Sequence, residues 1–207
     1  MVKTKIAVFV SGGGTNLQAL LDAEKAGILQ SGEIVLVISN TKGAYALERA
    51  KNAGVDGVTV TRKECGSQAA FEARISEYLK EYGAEMIILA GFLNILTEDF
   101  TKQWPRRIIN IHPALIPSFC GKGMYGLKVH EAALAKGVKV SGATVHYVNE
   151  VPDGGEILLQ KAVEVKEGDT PEILQRRIME QANGSCCLRQ RKWSQRELQR
   201  RRTHEHL

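Results

Sequence analysis

The sequence predicts an α/β protein built on a single doubly wound, mostly parallel sheet of the Rossmann-like kind, with an antiparallel pair of strands at one edge. Three observations support this prediction. Short apolar runs alternate with helical patterns over more than half of the chain, a glycine-rich turn follows the first run, and two alternating segments come in succession after residue 140. At 207 residues with 43% hydrophobic content, the chain is long enough for one domain with a full core and short for two.

The first strand is predicted at Lys5–Val10, an apolar run typical of a strand buried on both faces. The turn S-G-G-G-T-N at 11–16 follows and leads into leucines at helical spacing. This order predicts an anion cradle, because glycines let backbone N–H groups approach a phosphate at the positive end of a helix. The turn lacks the third glycine of a dinucleotide-binding motif and the Gly-Lys-Ser/Thr of a P-loop. A tight turn with Thr15 or Asn16 as the helix cap is the alternative.

The later elements follow from hydrophobic periodicity and turn residues. We expect strands at Glu33–Ser39, Val58–Thr61 and Met86–Ala90, helices at Ala44–Ala53 and Gln68–Tyr82, a buried strand within Arg107–Ile116, a long loop at Pro113–Leu127, a helix at Lys128–Lys136, and the antiparallel pair at Val140–Val148 and Glu156–Val165. Thr170 and Pro171 are a typical cap and first-turn pair for a last helix that runs to about Ala182.

The stretch R-I-I-N-I-H-P-A-L-I at 107–116 carries the predicted chemistry. Asn110 and His112 would leave a buried strand near its carboxyl end, where open α/β sheets bind ligands. Asp153, in V-P-D-G-G, is a carboxylate on a turn that could reach the histidine. A carboxylate beside an imidazole favours the imidazolium, and an amide plus an imidazolium is what a developing tetrahedral oxyanion needs. The alternatives are a histidine that is only a satisfied loop or core residue, and an Asp-Gly-Gly turn without a chemical role.

Acyl transfer fits this set better than hydride or phosphoryl transfer. No serine or cysteine nucleophile is obviously paired with the histidine, so direct attack by a substrate amine is the simpler route. The segment G-F-L-N-I-L at 91–96 follows the fourth strand. It could line the pocket of a flat aromatic ligand, or equally be core beneath a loop.

The charge of the chain is concentrated at one end. Residues 183–207 hold seven Lys or Arg and two Glu, which accounts for the whole net charge of +5 and leaves 21 basic and 21 acidic residues in 1–182. A neutral body gives no case for a nucleic-acid enzyme. The four cysteines have no metal-ligand or C-x-x-C spacing, and the first apolar run is far too short for a signal sequence or a membrane span. We therefore expect a cytoplasmic protein with no metal and no membrane or nucleic-acid partner.

Four motifs together resemble the phosphoribosylglycinamide formyltransferases of purine synthesis: S-G-G-G-T-N-L-Q at 11–18, L-A-G-F-L-N-I-L at 89–96, I-N-I-H-P-A-L-I-P at 109–117, and D-G-G at 153–155. The resemblance covers residues 1 to about 182, the expected catalytic domain, and implies a formyltransferase fold. The N-I-H-P element with a later D-G-G is shared by wider formyl-tetrahydrofolate enzymes. The glycine turn ending in T-N-L points to the glycinamide ribonucleotide branch.

This resemblance implies transfer of the formyl group of 10-formyltetrahydrofolate, as co-substrate, to the amine of 5-phosphoribosylglycinamide. Carried over by position, the ribonucleotide phosphate would be held by Gly14, Thr15 and Asn16. The folate side would be formed by Gln68, Leu93, Asn94, Ile95, Leu96 and Asn110. Asn110 and His112 would polarise the formyl oxygen, with His112 as the acid, and Asp153 would support the histidine and order a water.

Two positions depart from the family pattern. Many relatives carry an arginine aligned with Gln68 and another aligned with Asn94, whereas both residues here are neutral. The loss of one rim charge costs only about 1 kcal/mol where solvent reaches it. We therefore expect altered affinity rather than altered chemistry.

Residues 183–207 form an atypical basic tail, at the point where the family usually continues its last helix. N-G-S-C-C-L-R-Q at 183–190 can be written in codons that a one-base shift turns into E-W-K-L-L-P-E-A, a plausible family ending. We hypothesise a frameshift near Asn183, and a real basic arm for RNA or another polyanion is the competing interpretation. An altered last helix would leave apolar surface bare, which lowers stability or favours a homodimer.

Three other functions stay open. A methionyl-tRNA formyltransferase-like catalytic domain shares the chemistry but needs a further basic domain, which a 25-residue tail cannot supply. A dinucleotide-binding module is disfavoured by the missing third glycine and by Ser39 and Asn40, where an acidic residue would close the second strand. The third is a non-catalytic folate or nucleotide binder.

Overall fold

A computed structural model describes residues 3–182 of the chain. Its strands are β1 (Thr4–Val10), β2 (Gly32–Ser39), β3 (Gly57–Thr59), β4 (Met86–Leu89), β5 (Ile108–His112), β6 (Val140–Tyr147) and β7 (Ile157–Glu164). The helices are α1 (Thr15–Lys25), α2 (Tyr45–Asn52), α3 (Arg62–Cys65), α4 (Gln68–Glu81), α5 (Glu98–Gln103), α6 (Leu127–Lys136) and α7 (171–182).

Within residues 3–182 the strands form one seven-stranded sheet with the order β3-β2-β1-β4-β5-β6-β7. The first five strands, β1 to β5, are parallel to one another, whereas β6 pairs antiparallel with both β5 and β7. The predicted doubly wound sheet with an antiparallel edge pair is therefore confirmed. The strand order reverses between β1 and β4, and at such a switch point the loops diverge and leave a crevice at the carboxyl ends of the strands.

The two faces of β1 are both buried, as its continuous apolar run predicts. Ile6, Val8 and Val10 pack with α1 and α2 on one face, and Ala7 and Phe9 pack with α4 on the other. All five side chains are at most 3% exposed. The first strand is therefore held from both sides, which gives the turn that follows it a rigid base.

Two short helices were not predicted. The helix α3 has four residues and α5 has six, and each starts after a threonine whose hydroxyl accepts a backbone N–H: Thr61 from Glu64, and Thr97 from Phe100. Helices this short do not show a repeating helical pattern of apolar residues. The threonine at each N-terminal cap was the only local feature that could have indicated them.

The start of α1 also differs from one expectation. The cap position is Gly14, in the left-handed conformation at φ 72°, and no side chain caps the helix. The alternative in which Thr15 or Asn16 serves as the cap is therefore wrong, and the turn is shaped by its backbone.

The last described helix, α7, begins as predicted. The Thr170 hydroxyl accepts the Ile173 N–H at 3.4 Å, and Leu174, Ile178 and Ala182 pack against Ala143 of β6. The basic tail and the frameshift hypothesis concern residues 183–207, which lie outside the described residues. In the part of the chain that is described, no helix has the length and apolar character needed to cross a bilayer.

Candidate active site

A cavity of about 590 Å³ opens at the carboxyl ends of β1, β4 and β5, beside the switch point of the sheet. It brings together segments far apart in the sequence. Among the residues that line it are Asn16, Leu93, Asn94, Ile95, Leu96, Asn110, His112, His146 and Asp153. Most of the predicted site residues therefore meet at one place.

The glycine turn forms one wall of this cavity through Asn16, whereas Gly14 and Thr15 lie just before it and are not part of the lining. A Cβ atom on Gly14 would lie 2.6 Å from the Cβ of Ala46, so only glycine fits at this position. The hydroxyl of Ser11 accepts the Leu93 N–H at 2.8 Å, which ties the turn to the loop after β4. This hydrogen bond links the expected phosphate site at the glycine turn to the expected folate site at the loop after β4.

The predicted catalytic residues converge on Asp153. Its Oδ1 lies 3.5 Å from the amide nitrogen of Asn110, and its Oδ2 lies 3.6 Å from Nδ1 of His112. The side chain of Asp153 is only 13% exposed, and the Gly121 N–H donates to Oδ2 at 2.8 Å. An amide, an imidazole and a carboxylate therefore share one small volume.

His146 belongs to this cluster, although sequence reasoning missed it. It lies opposite Asn110 in the pairing of β5 with β6 and is 1% exposed. Its Nε2 lies 3.2 Å from the Asn110 amide nitrogen and 3.5 Å from Asp153 Oδ1. A histidine within an apolar strand was the available signal, but the strand register was needed to place it beside Asn110.

The carboxyl group of Asp153 is held ionised. Burial alone would raise its pKa, but the interaction with His146, the Gly121 N–H and the charge of His112 together lower the pKa below its usual range. The backbone of Asp153 has φ 56°, an uncommon conformation for a residue other than glycine. Close packing of the D-G-G turn holds it, since a Cβ on Gly155 would lie 1.9 Å from the Tyr147 carbonyl oxygen.

Both ring nitrogens of His112 have neighbours. Nδ1 faces Asp153, and Nε2 lies 2.8 Å from the carbonyl oxygen of Phe119. Because a carbonyl oxygen only accepts hydrogen bonds, Nε2 carries a hydrogen in this arrangement. The loop between β5 and α6 thus contacts the histidine through Phe119 and the carboxylate through Gly121.

The loop after β4 exposes two apolar side chains to the cavity. Leu93 and Ile95 are 60% and 59% exposed, which favours the pocket interpretation over the core interpretation for these two residues, whereas Leu96 is buried at 6%. Side chains of α4 hydrogen-bond to the backbone of this loop.

Gln68 does not reach the cavity lining. Its amide donates to Glu72 Oε1 at 2.7 Å and to the carbonyl oxygen of Ile95 at 3.2 Å. The carboxylate of Glu72 also accepts the backbone N–H and the hydroxyl of Thr97. The structure therefore gives Gln68 a contact with the loop, and direct folate binding by Gln68 stays a prediction.

Another histidine lies buried behind the site. His130 on α6 is fully buried, and neither of its ring nitrogens has a hydrogen-bond partner within residues 3–182. Burial, with a smaller contribution from the charge of His112, lowers its pKa to about 4. His130 is therefore neutral near pH 7. In the same described range, no group of three or more His, Cys, Asp or Glu side chains is arranged to hold a metal ion.

Comparison with known proteins identifies the class that this fold and site define. The model of the formyl transferase family matches residues 4–189, and the chain belongs to that family. Its similar proteins include phosphoribosylglycinamide formyltransferases. The chloroplastic enzyme of Arabidopsis thaliana is 38% identical over 199 residues, covering 92% of this chain and 68% of that protein. The crystal structure of glycinamide ribonucleotide transformylase 1 from Symbiobacterium toebii has a TM-score of 0.86 at 41% identity, covering 93% of this chain and 88% of that one.

A further relative is much longer than this chain. The trifunctional purine biosynthetic protein adenosine-3 of Gallus gallus is 44% identical over 178 residues, which cover 86% of this chain but 17% of that protein. The chain thus corresponds to about one sixth of the trifunctional relative.

Proposed function

We propose that the protein transfers the formyl group of 10-formyltetrahydrofolate to the amine of 5-phosphoribosylglycinamide, a step of de novo purine biosynthesis. The observation that carries this proposal is the convergence of Asn110, His112 and Asp153 in one cavity between the glycine turn and the loop after β4. The family membership and the named relatives agree with it.

Asn110 and His112 act on the same developing charge. Attack of the amine on the formyl carbon forms the new C–N bond and moves the carbonyl electron pair onto oxygen. An amide N–H of Asn110 and the imidazolium of His112 stabilise this oxyanion. When the bond to the folate nitrogen breaks, that nitrogen takes up a proton in place of the formyl group, and the attacking amine supplies one, so atoms and charges balance.

Asp153 is ionised before the reaction, because its pKa is lowered. An ionised carboxylate beside His112 favours the imidazolium form, and a water held by Asp153 provides a path from the amine to the folate nitrogen. The Nε2–H of His112 donates to the Phe119 carbonyl oxygen. It reaches the formyl oxygen only when that bond is broken or shared, so a small shift of the loop accompanies the reaction.

In this proposal the folate occupies the cavity, and the ribonucleotide extends from the cavity to the glycine turn beside it. The phosphate of the ribonucleotide binds at the glycine turn, Gly14, Thr15 and Asn16, where the backbone N–H groups and the start of α1 favour an anion. The pterin ring binds against the exposed Leu93 and Ile95. A cavity of about 590 Å³ has the size of a small-molecule site.

A turnover assay tests the proposal. The protein is incubated with both substrates, and the folate product is followed by absorbance. We expect turnover in the wild-type protein and a loss of at least about 100-fold in kcat for His112→Ala. Folded wild-type protein that shows no turnover would contradict the proposal, and so would a His112→Ala variant with wild-type kcat.

The remaining expectations are proposals of the same kind. We propose that residues 1–182 form the catalytic domain and that the sequence beginning close to Asn183 results from a frameshift, which resequencing and intact mass decide. A homodimer and a cytoplasmic location also stay predictions. The free thiols of Cys65 and Cys120 fit a reducing compartment, although the Arabidopsis thaliana relative is chloroplastic. Sedimentation measures the oligomeric state.

A further inference from the structure

We propose that Arg49, on α2, is a positioning residue for phosphate binding: it turns the backbone of the glycine turn so that its N–H groups face the ligand. This inference rests on the proposed function, since it concerns how the ribonucleotide phosphate is held. Arg49 does not contact the phosphate in this proposal, and it acts through the carbonyl oxygen of Gly13.

The contacts between α2 and the turn are specific. The carbonyl oxygen of Gly12 accepts the backbone N–H of Ala46 at 3.1 Å, and the carbonyl oxygen of Gly13 accepts Nε–H of Arg49 at 2.8 Å. Arg49 Nη1 also donates to the side-chain oxygen of Gln18 on α1, at 3.0 Å. One half-buried guanidinium thus links the turn, the helix after it and α2.

The geometry of the peptide bond makes these contacts directional. In a trans peptide the C=O of one residue and the N–H of the next point in opposite directions. Because α2 takes the carbonyl oxygens of Gly12 and Gly13, the N–H groups of Gly13 and Gly14 point away from α2. Neither N–H donates to a protein acceptor within residues 3–182, so both are open to a ligand.

Packing keeps the turn against α2. Gly14 has φ 72°, and a Cβ on it would lie 2.6 Å from the Ala46 Cβ. The guanidinium of Arg49 lies over the ring of Tyr45, 5.0 Å from its centroid, which limits its movement. Without the Arg49 bond, the Gly13 peptide could rotate and present its carbonyl oxygen to the phosphate, which would repel the anion. The positive charge behind the turn adds to the favourable end of α1.

Arg74 offers a matched control for Arg49. It also stacks on a tyrosine, Tyr78, at 4.6 Å from the ring centroid, but it lies on α4 and pairs with the exposed Glu77. Arg74→Met therefore removes the same chemical group without touching the turn. Arg49→Lys keeps the charge of Arg49 but loses the fixed fork that joins Gly13 and Gln18.

The experiment measures kcat and both KM values for Arg49→Met, Arg49→Lys and Arg74→Met. We expect Arg49→Met to raise the KM for the ribonucleotide by about 10-fold, because the charge-assisted hydrogen bond that orients the turn is lost. The KM for the folate and kcat at saturation should stay within twofold of the wild type. Arg49→Lys should fall between Arg49→Met and the wild type, and Arg74→Met should match the wild type. Thermal melting verifies that each variant is folded.

Two results would overturn the inference. One is a ribonucleotide KM within twofold of the wild type in folded Arg49→Met, and the other is an equal rise in both KM values, which indicates a general structural effect. Calorimetric titration with inorganic phosphate separates this inference from the proposed function. If the wild-type protein shows no turnover, weaker phosphate binding by Arg49→Met than by Arg74→Met still supports the role of Arg49, and equal binding refutes it.

Discussion

The amide nitrogen of Asn110 lies 3.2 Å from Nε2 of His146, directly across the antiparallel pair of β5 and β6. The other ring nitrogen of His146, Nδ1, lies 2.7 Å from the carbonyl oxygen of Tyr147. Because that oxygen only accepts, Nδ1 carries a hydrogen, and Nε2 is the ring atom that faces Asn110 and Asp153 Oδ1. His146 and Asp153, whose Oδ1 accepts from the same amide nitrogen at 3.5 Å, together orient the Asn110 amide.

Replacing His146 tests this orientation. We expect His146→Ala to lower kcat by roughly 10-fold, because the amide of Asn110 loses one of the partners that orient it. The KM for the ribonucleotide should change by less than about twofold, since the glycine turn is not affected. Steady-state kinetics measure both values, and His146→Ala with unchanged kcat would show that Asn110 needs no such support.

Asp153→Asn separates charge from shape at the centre of the cluster. The amide keeps the volume of the carboxylate, but it has no charge to stabilise an imidazolium at His112 and only one oxygen that accepts hydrogen bonds. We expect kcat to fall by at least about 100-fold, with ribonucleotide binding largely retained. Single-turnover kinetics at saturating substrates measure the chemical step. A variant that is folded and keeps its rate would remove Asp153 from the proton path.

The sequence could predict most of this site because its motifs lie next to recognisable strand ends. Asn110 and His112 follow an apolar run, and Asp153 lies in a turn marked by two glycines. His146 could not be placed in the same way, because its neighbour Asn110 is 36 positions away and only the register of β5 with β6 brings them together. The hydrogen bonds of Gln68 likewise depend on the path of a loop that local pattern does not define.

The hydrogen bonds between α4 and the loop after β4 predict a structural role for Glu72. This carboxylate is 7% exposed and accepts hydrogen bonds from Gln68 and from both the N–H and the hydroxyl of Thr97. In Glu72→Gln, one accepting oxygen becomes a donor, which leaves at least one buried donor without a partner. We expect a loss of about 1–3 kcal/mol in the free energy of unfolding.

The same change should loosen the loop that carries Leu93 and Ile95, so the KM for the folate should rise more than the KM for the ribonucleotide. Urea denaturation and steady-state kinetics measure the two effects. Glu77→Gln is the matched control, because Glu77 lies on the same helix with its side chain 64% exposed. Equal stabilities of the two variants would show that the hydrogen bonds of Glu72 contribute nothing.

His130 predicts how stability depends on pH. Burial lowers its pKa to about 4, whereas an unfolded histidine has a pKa of about 6.5. Between these values the unfolded chain binds a proton that the folded protein does not, so the contribution of His130 is complete above about pH 6.5 and is lost as the pH falls. By pH 5 this loss amounts to about 2 kcal/mol.

A His130→Leu variant removes the titrating group and leaves no new polar atom in the core. Urea denaturation of both proteins at about pH 7.5 and about pH 5 gives the free energy of unfolding in each case. Other ionisable groups, Asp153 included, titrate in both proteins, so their effects cancel in the difference. We expect the wild-type protein to lose about 2 kcal/mol more than His130→Leu over this range. Equal losses would mean that the imidazole is protonated or solvated inside the folded protein. The assignment of His130 as a neutral residue would then be wrong.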